Sequence, residues 1–411
     1  MLKQKLTNAI VLLFVLVIGQ AHAPCQLHGQ NKIADPADLG FDVKVLQEID
    51  AVMEAGLEDE KLIGCNAMIL KDDKVCYYDS WGLQSREEKV PVSRDTIWRI
   101  YSMSKPITSV AVMQLVESGK LKLDDRVEKY IPEFADLTVL QKEGGEFIEV
   151  APRRAMTVRD LLRHSSGLTY GFFGDSEVDK RYRKAGVLSK DPNLKSMVEK
   201  LSKIPLQTHP GDTFIYSVST DVLGYLVEVV SGQSFAQYLE ENIFQPLSMT
   251  DTSFVVPEKK QDRFAAMYRP SRRGGLSLST SRSGQRFTDE SNEFFSGGGG
   301  LCCDIDDYMQ FCRMLLNKGT LEGKQILKPE TLEQMWTNQL GDLKKSSRGF
   351  QFGLGFSISR QGDYSWGGAA GTRFWVNPEK NVAMVYMIQI NPYQQSFGRQ
   401  MRKIVYESLK D

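Results

Sequence analysis

Segments that read as β-strands lie at the two ends of this 411-residue chain, with a long and mostly helical stretch between them. "LIGCNAMILKDDKVCYYDSWG" (Leu62 to Gly82) is rich in β-branched and aromatic residues around a polar turn, which predicts a β-hairpin. After residue 350 come "FGLGFSIS", "YSWGG", "TRFWVNP" and "VAMVYMIQI", with "NPEKN" (Asn377 to Asn381) as the turn between the last two. A sheet must bury at least one face against another layer. The pattern therefore predicts an α/β (α+β) fold: one antiparallel sheet built from both termini and flanked by helices, with an inserted, mostly helical domain. The boundaries read as 45–120 plus 300–411 for the sheet domain and 121–299 for the helical domain with its loops. A helix from about Ser396 closes the chain.

The helical signals are local. From Ser102 the apolar residues Ile107, Val110, Ala111, Leu115 and Val116 follow a helical pattern that ends at Gly119. In "TVRDLLRHSSGL", Thr157 and Asp160 have capping-box spacing. "TDVLGYLVEVVSG" (Thr220 to Gly232) predicts a second buried helix. "SGGGGLCCDIDDYMQFCRMLLNKG" (Ser296 to Gly319) runs from glycines into an amphipathic helix with Asp304 as its N-cap. A glycine run before a helix can cradle phosphate. No G-x-x-x-x-G-K-[ST] follows here, so close backbone packing is the better reading of these glycines.

The first 23 residues read as an export signal. Lys3 and Lys5 precede an apolar run, Ala9 to Gly19, too short to span a bilayer. Small residues follow, so cleavage is expected after Ala21 or Ala23, leaving residues 24–44 as an N-terminal linker. Lipid anchoring at Cys25 is not expected, because "HAP" before it lacks the aliphatic and small pattern. No later segment is apolar and long enough to cross a membrane, so the product is expected to be periplasmic or secreted. Of six cysteines, Cys65 and Cys76 fall on hairpin positions that pair with about 80 and about 69, too far apart to bond. Cys302, Cys303 and Cys312 read as packing residues.

Several function classes drop out. With 51 basic and 52 acidic residues the formal net charge is -1, which gives no basic face for nucleic acid. The short cluster "RPSRRGG" (Arg269 to Gly275) reads as a solvated loop. The four histidines are His22, His28, His164 and His209, and no H-E-x-x-H or paired C-x-x-C occurs, so neither a metal nor a cofactor site is expected. A Ser-His-Asp hydrolase is not indicated either, since there is no G-x-S-x-G elbow. His164 and His209 read as structural.

What remains is "RIYSMSKPITS", with Ser102 and Lys105 three apart at a helix start. At that spacing the two side chains share a face. A serine hydroxyl needs a neighbouring base to become a nucleophile. A lysine amine can serve once burial or a second cation helps it shed its proton. The first helical turn also leaves N–H groups without intrahelical acceptors, so the Ser102 N–H is free to receive an oxyanion. Taken alone S-x-x-K is common, and a capping serine beside a solvated lysine is the ordinary reading.

Further segments alter that balance. "SMSK", "LLRHSSGL", "YSV" followed by "DVLG", "GGGGL", "MLLNKG", "GLGF" and "WGGAAGT" occur in that order. From about residue 45 onward the chain resembles the serine β-lactamase and penicillin-binding-protein superfamily, nearest its class C-like esterases (family VIII carboxylesterases). The resemblance implies a β-lactamase/transpeptidase-like fold. It implies Ser102 as nucleophile, Lys105 as its base and Tyr216 as a second proton-transfer group. It also implies the N–H groups of Ser102 and Ala369 as the oxyanion hole. Two departures bear on substrate. Val218 stands where the Y-x-N motif has an amide, and Trp366, followed by Gly367 and Gly368, stands where the K-T-G motif has a cation. Both favour neutral acyl esters over anionic β-lactams or D-Ala-D-Ala ends, with Val218, Trp366, Gly367 and Gly368 as the substrate-binding set. The implied activity is a carboxylesterase working through an acyl-enzyme on a small-molecule ester. The alternatives are a β-lactamase or D-Ala-D-Ala carboxypeptidase-like hydrolase, and a non-catalytic penicillin-binding-type module.

Overall fold

Hydrophobic alternation dictates the central sheet. The computed structural model describes residues 33–410 apart from 342 and 344–348; the expected signal peptide and linker residues 24–32 lie outside the described residues. The N-terminal strands are β1 (Gly64–Lys71), β2 (Lys74–Ser85) and β3 (Val90–Pro91). The C-terminal strands are β4 (Gln351–Phe352), β5 (Ser357–Ile358), β6 (Tyr364–Gly367), β7 (Arg373–Asn377) and β8 (Val382–Ile388). They form one eight-stranded sheet in the order β4-β5-β6-β7-β8-β1-β2-β3. Strand β1 joins the two ends of the chain by pairing antiparallel with β8, for example Met68 with Val385.

Successive residues of a strand point to opposite faces. In β8, Ala383, Val385 and Met387 enter one core, while Val382, Met384, Tyr386 and Ile388 enter another. Helices cover both faces, so β1 and β8 read as continuous apolar runs rather than as half-polar alternation. On one face lie α1 (Glu48–Glu58) and the C-terminal helix Phe397–Ser408, contributing Ile49, Met53 and Met401. On the other lie Val110 and Met113 of α2 (Ser104–Glu117), Val222 and Leu226 of α3 (Ser219–Ser231), and Phe311 of α4 (Ile305–Leu316).

The hairpin turns where expected and pairs Cys65 with Trp81. A bulge after Ile69 shifts the register, and the Cys76 thiol donates to the Ile69 carbonyl. Cys65, Cys76, Cys302, Cys303 and Cys312 are all buried and unbonded to one another. No described helix is long and apolar enough to cross a membrane.

Two expectations change. Residues 33–44 are not a loose linker. The Ala34 N–H donates to Val75 (2.8 Å), the Asp42 N–H donates to Ser408 (2.6 Å), and Phe41 is wholly buried, because an apolar ring here finds the sheet–helix core. Moreover, residues 33–411 form one compact unit. The changes near 120 and 300 mark a switch of element type, while one core runs from the sheet through α2 and α3. The middle segment also carries a hairpin, Val139–Glu143 with Glu146–Val150, whose largely exposed strands leave no apolar signature.

Candidate active site

The chain enters α2 through a tight 3-10 turn, Tyr101–Met103. Ser102 therefore sits two residues ahead of the α-helix that its apolar pattern predicted. In this tighter winding residues three apart nearly eclipse, which aligns Ser102 with Lys105. Tyr101 holds φ at 43°, in the left-handed region that bulky side chains avoid. Such strain collects where a backbone must present a side chain in one orientation.

Lys105 is 1% exposed, and its surroundings are the apolar first turns of α2. Its Nζ lies 3.2 Å from Ser102 Oγ and donates to the Gly298 carbonyl at 2.5 Å. The Tyr216 hydroxyl donates to the same Ser102 Oγ at 2.7 Å. Tyr216 arrives just before α3, and its ring lies 4.6 Å from Lys105 Nζ. The three polar tips that the sequence singled out thus meet at one oxygen.

Trp366, on β6, closes the group from the sheet side. Its Nε1–H donates to the Tyr216 oxygen at 3.4 Å, and its ring lies 5.4 Å from Tyr216 and 5.3 Å from Phe352. Gly368 makes a closer approach than any side chain would allow. A Cβ there would lie 2.4 Å from the Ile100 carbonyl oxygen, two residues before Ser102. The Thr372 hydroxyl bonds the same carbonyl at 3.3 Å. The end of β6 is thereby clamped to the turn that carries Ser102. Ala369 follows in an exposed turn, and its N–H donates to no acceptor among the described residues. Gly367 lines β6 opposite Arg373.

Val218 is placed otherwise than expected. It is 0% exposed and belongs to the main core, because it caps α3 with its side chain turned inward. It offers substrate no surface, although the absence of an amide at that position stands.

Three further residues surround Lys105 and Tyr216 that the sequence did not single out for this place. His164, read as structural, is buried with its ring 5.0 Å from Tyr216 and its Nδ1 3.3 Å from Ser217 Oγ. Burial first, and the Lys105 charge second, hold its imidazole well below the usual range. Asp221, in the first turn of α3, is buried and accepts bonds from the Ser296 hydroxyl and the Gly298 N–H (3.1 Å). Burial raises its carboxyl and the nearby Lys105 opposes this. Tyr170 places its ring 5.2 Å from Lys105 Nζ and 5.2 Å from the Tyr216 ring. At the mouth, Phe172 and Phe173 are 59% and 66% exposed, and Phe173 stacks 5.8 Å from Tyr216. The sequence signals for Asp221 were its place at the head of "DVLG" and an acid in the first turn of a helix otherwise read as buried. The glycine run packs as expected, since a Cβ on Gly297 would strike the Thr220 carbonyl at 2.5 Å. Among the described residues no group of His, Cys, Asp and Glu could hold a metal ion.

A serine that shares one oxygen-centred cluster with a buried lysine and a tyrosine, at the edge of an antiparallel sheet between helices, defines a serine hydrolase of β-lactamase fold. Residues 49–405 match the Beta-lactamase family model, and the chain belongs to that family. Protein Rv1367c of Mycobacterium tuberculosis is 34% identical over 366 residues, spanning 84% of this chain and 89% of that protein. Esterase EstB of Burkholderia gladioli is 29% identical over 372 residues, spanning 84% and 90%. Among solved structures EstCE1, a hydrolase with promiscuous acyltransferase activity, superposes with a TM-score of 0.75 at 26% identity, covering 88% of this chain and 99% of that one.

Proposed function

We propose that the chain is an exported carboxylesterase that forms an acyl-enzyme on Ser102. In this reading Ser102 Oγ attacks the ester carbonyl as its proton passes to Lys105. The oxyanion is received by the N–H groups of Ser102 and Ala369. The leaving alcohol takes a proton from Tyr216, and water then releases the acid by the reverse relay. The observation that carries the reading is the convergence of Lys105 Nζ and the Tyr216 hydroxyl on Ser102 Oγ.

The substrate side supports an ester rather than a β-lactam or peptide. Trp366 supplies an apolar plate and one N–H where a lysine would supply charge. The exposed Phe172 and Phe173 extend the apolar mouth. The leader-like first 23 residues support export. The test is turnover of short-chain p-nitrophenyl esters against a chromogenic cephalosporin, together with Ser102→Ala. Ester cleavage should dominate, and the substitution should abolish it along with labelling by a fluorophosphonate. Faster cephalosporin cleavage would move the reading to a β-lactamase, and ester turnover surviving in Ser102→Ala would remove the nucleophile.

A further inference from the structure

A second feature lies beside the turn that carries Ser102. Gly299 packs beside Tyr101, where an added Cβ would lie in ordinary contact, 3.6 Å from the Tyr101 carbonyl carbon. Beyond Gly299 opens a cavity of 160 Å³, which therefore begins one residue from Ser102. The rings of Tyr101, Phe254, Phe287 and Phe294 line it, and Arg286 enters it.

The Arg286 guanidinium lies 4.5 Å over the Phe294 ring. No described residue gives it an ion pair or a hydrogen bond. The carboxylates whose charge it feels have other partners, although Asp221 Oδ2 is buried without a hydrogen bond. Asp191 pairs with Lys200 at 2.5 Å and accepts the Leu188 N–H, while Asp221 is held by Ser296 and Gly298. Burial weakens the hold of Arg286 on its proton, but a guanidinium stays charged throughout the working range. The Phe294 face and the more distant Asp191 and Asp221 offset part of the cost of desolvating this cation, but no described carboxylate lies at ion-pair distance. A planar fork of donors set among aromatic walls matches one ligand chemistry, a carboxylate at the end of a short apolar chain. A phosphate would call for further cations, and the other polar side chains on the wall are Tyr101, Asn292 and Ser296, the last committed to Asp221.

We propose that this cavity is a carboxylate subsite, in which Arg286 pairs with an anionic group carried by the substrate some atoms away from the scissile ester. The proposal rests on the reading of Ser102 as an ester-cleaving nucleophile. It also narrows that reading: the substrate is neutral where it meets Trp366 and anionic at its far end.

The test compares monomethyl adipate with dimethyl adipate, and 6-acetoxyhexanoate with its methyl ester, which places the charge on the acyl or the alcohol side. In the parent one charged member should be preferred by kcat/KM over its neutral partner. In Arg286→Gln that ratio should fall at least about tenfold, and Arg286→Lys should restore part of it. Thermal melting followed by circular dichroism reports folding of both variants. A second measurement needs no turnover: adipate binding to the Ser102→Ala protein by calorimetry should weaken at least about tenfold when Arg286→Gln is added. Ratios and binding that are the same with and without Arg286 would overturn the subsite while leaving ester cleavage intact. Arg286-dependent adipate binding in a protein that cleaves none of the esters would uphold the subsite and overturn the esterase reading.

Discussion

Replacing Tyr216 by phenylalanine isolates a single oxygen. The ring is held by His164 at 5.0 Å, Tyr170 at 5.2 Å and Trp366 at 5.4 Å, none of which depends on the hydroxyl. The side chain should therefore stay in place. What is lost is the 2.7 Å bond to Ser102 Oγ and the acceptor for Trp366 Nε1–H at 3.4 Å. The site is partly open to solvent, so the unpaired indole N–H can turn to water and the stability change should stay within about 1 kcal/mol. The catalytic change should be far larger. A positioned proton-transfer group contributes roughly 10²- to 10⁴-fold, or about 3–5 kcal/mol at 1.36 kcal/mol per decade. The assay is kcat and KM for p-nitrophenyl butyrate, with a melting curve on the same preparation. The expected result is a kcat reduced at least about a hundredfold, with KM little changed and melting nearly the same. A loss below about tenfold in a folded protein would refute Tyr216 as the proton donor to the leaving group.

Two further outcomes test the frame around the site. Gly368→Ala should cost about 1–3 kcal/mol and depress ester turnover, because its Cβ would meet the Ile100 carbonyl at 2.4 Å and push the Ser102 turn; melting and kcat like the parent's would refute that close approach. His164 is held neutral in the folded chain, so below about pH 6.5 the unfolded chain binds a proton that the folded chain refuses, and stability is lost on acidification by up to about 2 kcal/mol at pH 5. Melting temperatures of the parent and His164→Asn between pH 7 and 5 should therefore converge as pH falls, and parallel curves would refute the buried, neutral imidazole.

The sheet was legible because its signal is local and periodic. The C-terminal strands are short runs rich in β-branched, aromatic and other apolar residues between turn signals, and the "NPEKN" turn fixes the β7–β8 pairing directly. Ser102 and Lys105 were legible for the same reason, since one turn of chain places them together. Tyr216 was not legible from chemistry alone. It lies 114 residues from Ser102, and only the ordered motifs made it more than a core aromatic. His164, Tyr170 and Asp221 reach the site through packing between separate segments, which no spacing encodes. Val218 failed for the converse reason: a motif fixes where a residue sits along the chain, but the direction of its side chain follows from how α3 docks. Phe41 was lost to a linker reading because the sheet–helix cleft that takes it is built from strands and a helix at the far end of the chain.

In the proposed reaction, hydrogen-bond capacity limits how the proton of Ser102 can leave. An indole N–H only donates, so Trp366 occupies the Tyr216 oxygen as an acceptor and cannot receive the phenolic proton. That proton is therefore directed at Ser102 Oγ, where the 2.7 Å contact places it. Ser102 Oγ also accepts from Lys105 Nζ at 3.2 Å, so in the proposed reaction a Lys105 that has shed its proton is the polar group placed to take the serine hydrogen. Lys105 in turn donates to Gly298, whose carbonyl cannot give a proton back. Under the proposed esterase reading the transfers run serine to lysine on attack, tyrosine to the departing alkoxide, and lysine to tyrosine across the same oxygen-centred cluster. A lysine in place of Trp366 would also donate to Tyr216, but would add a positive charge beside the phenol. The tryptophan engages the Tyr216 oxygen without adding a charge of its own, and the cation on the strand side is Arg373 of β7, opposite Gly367.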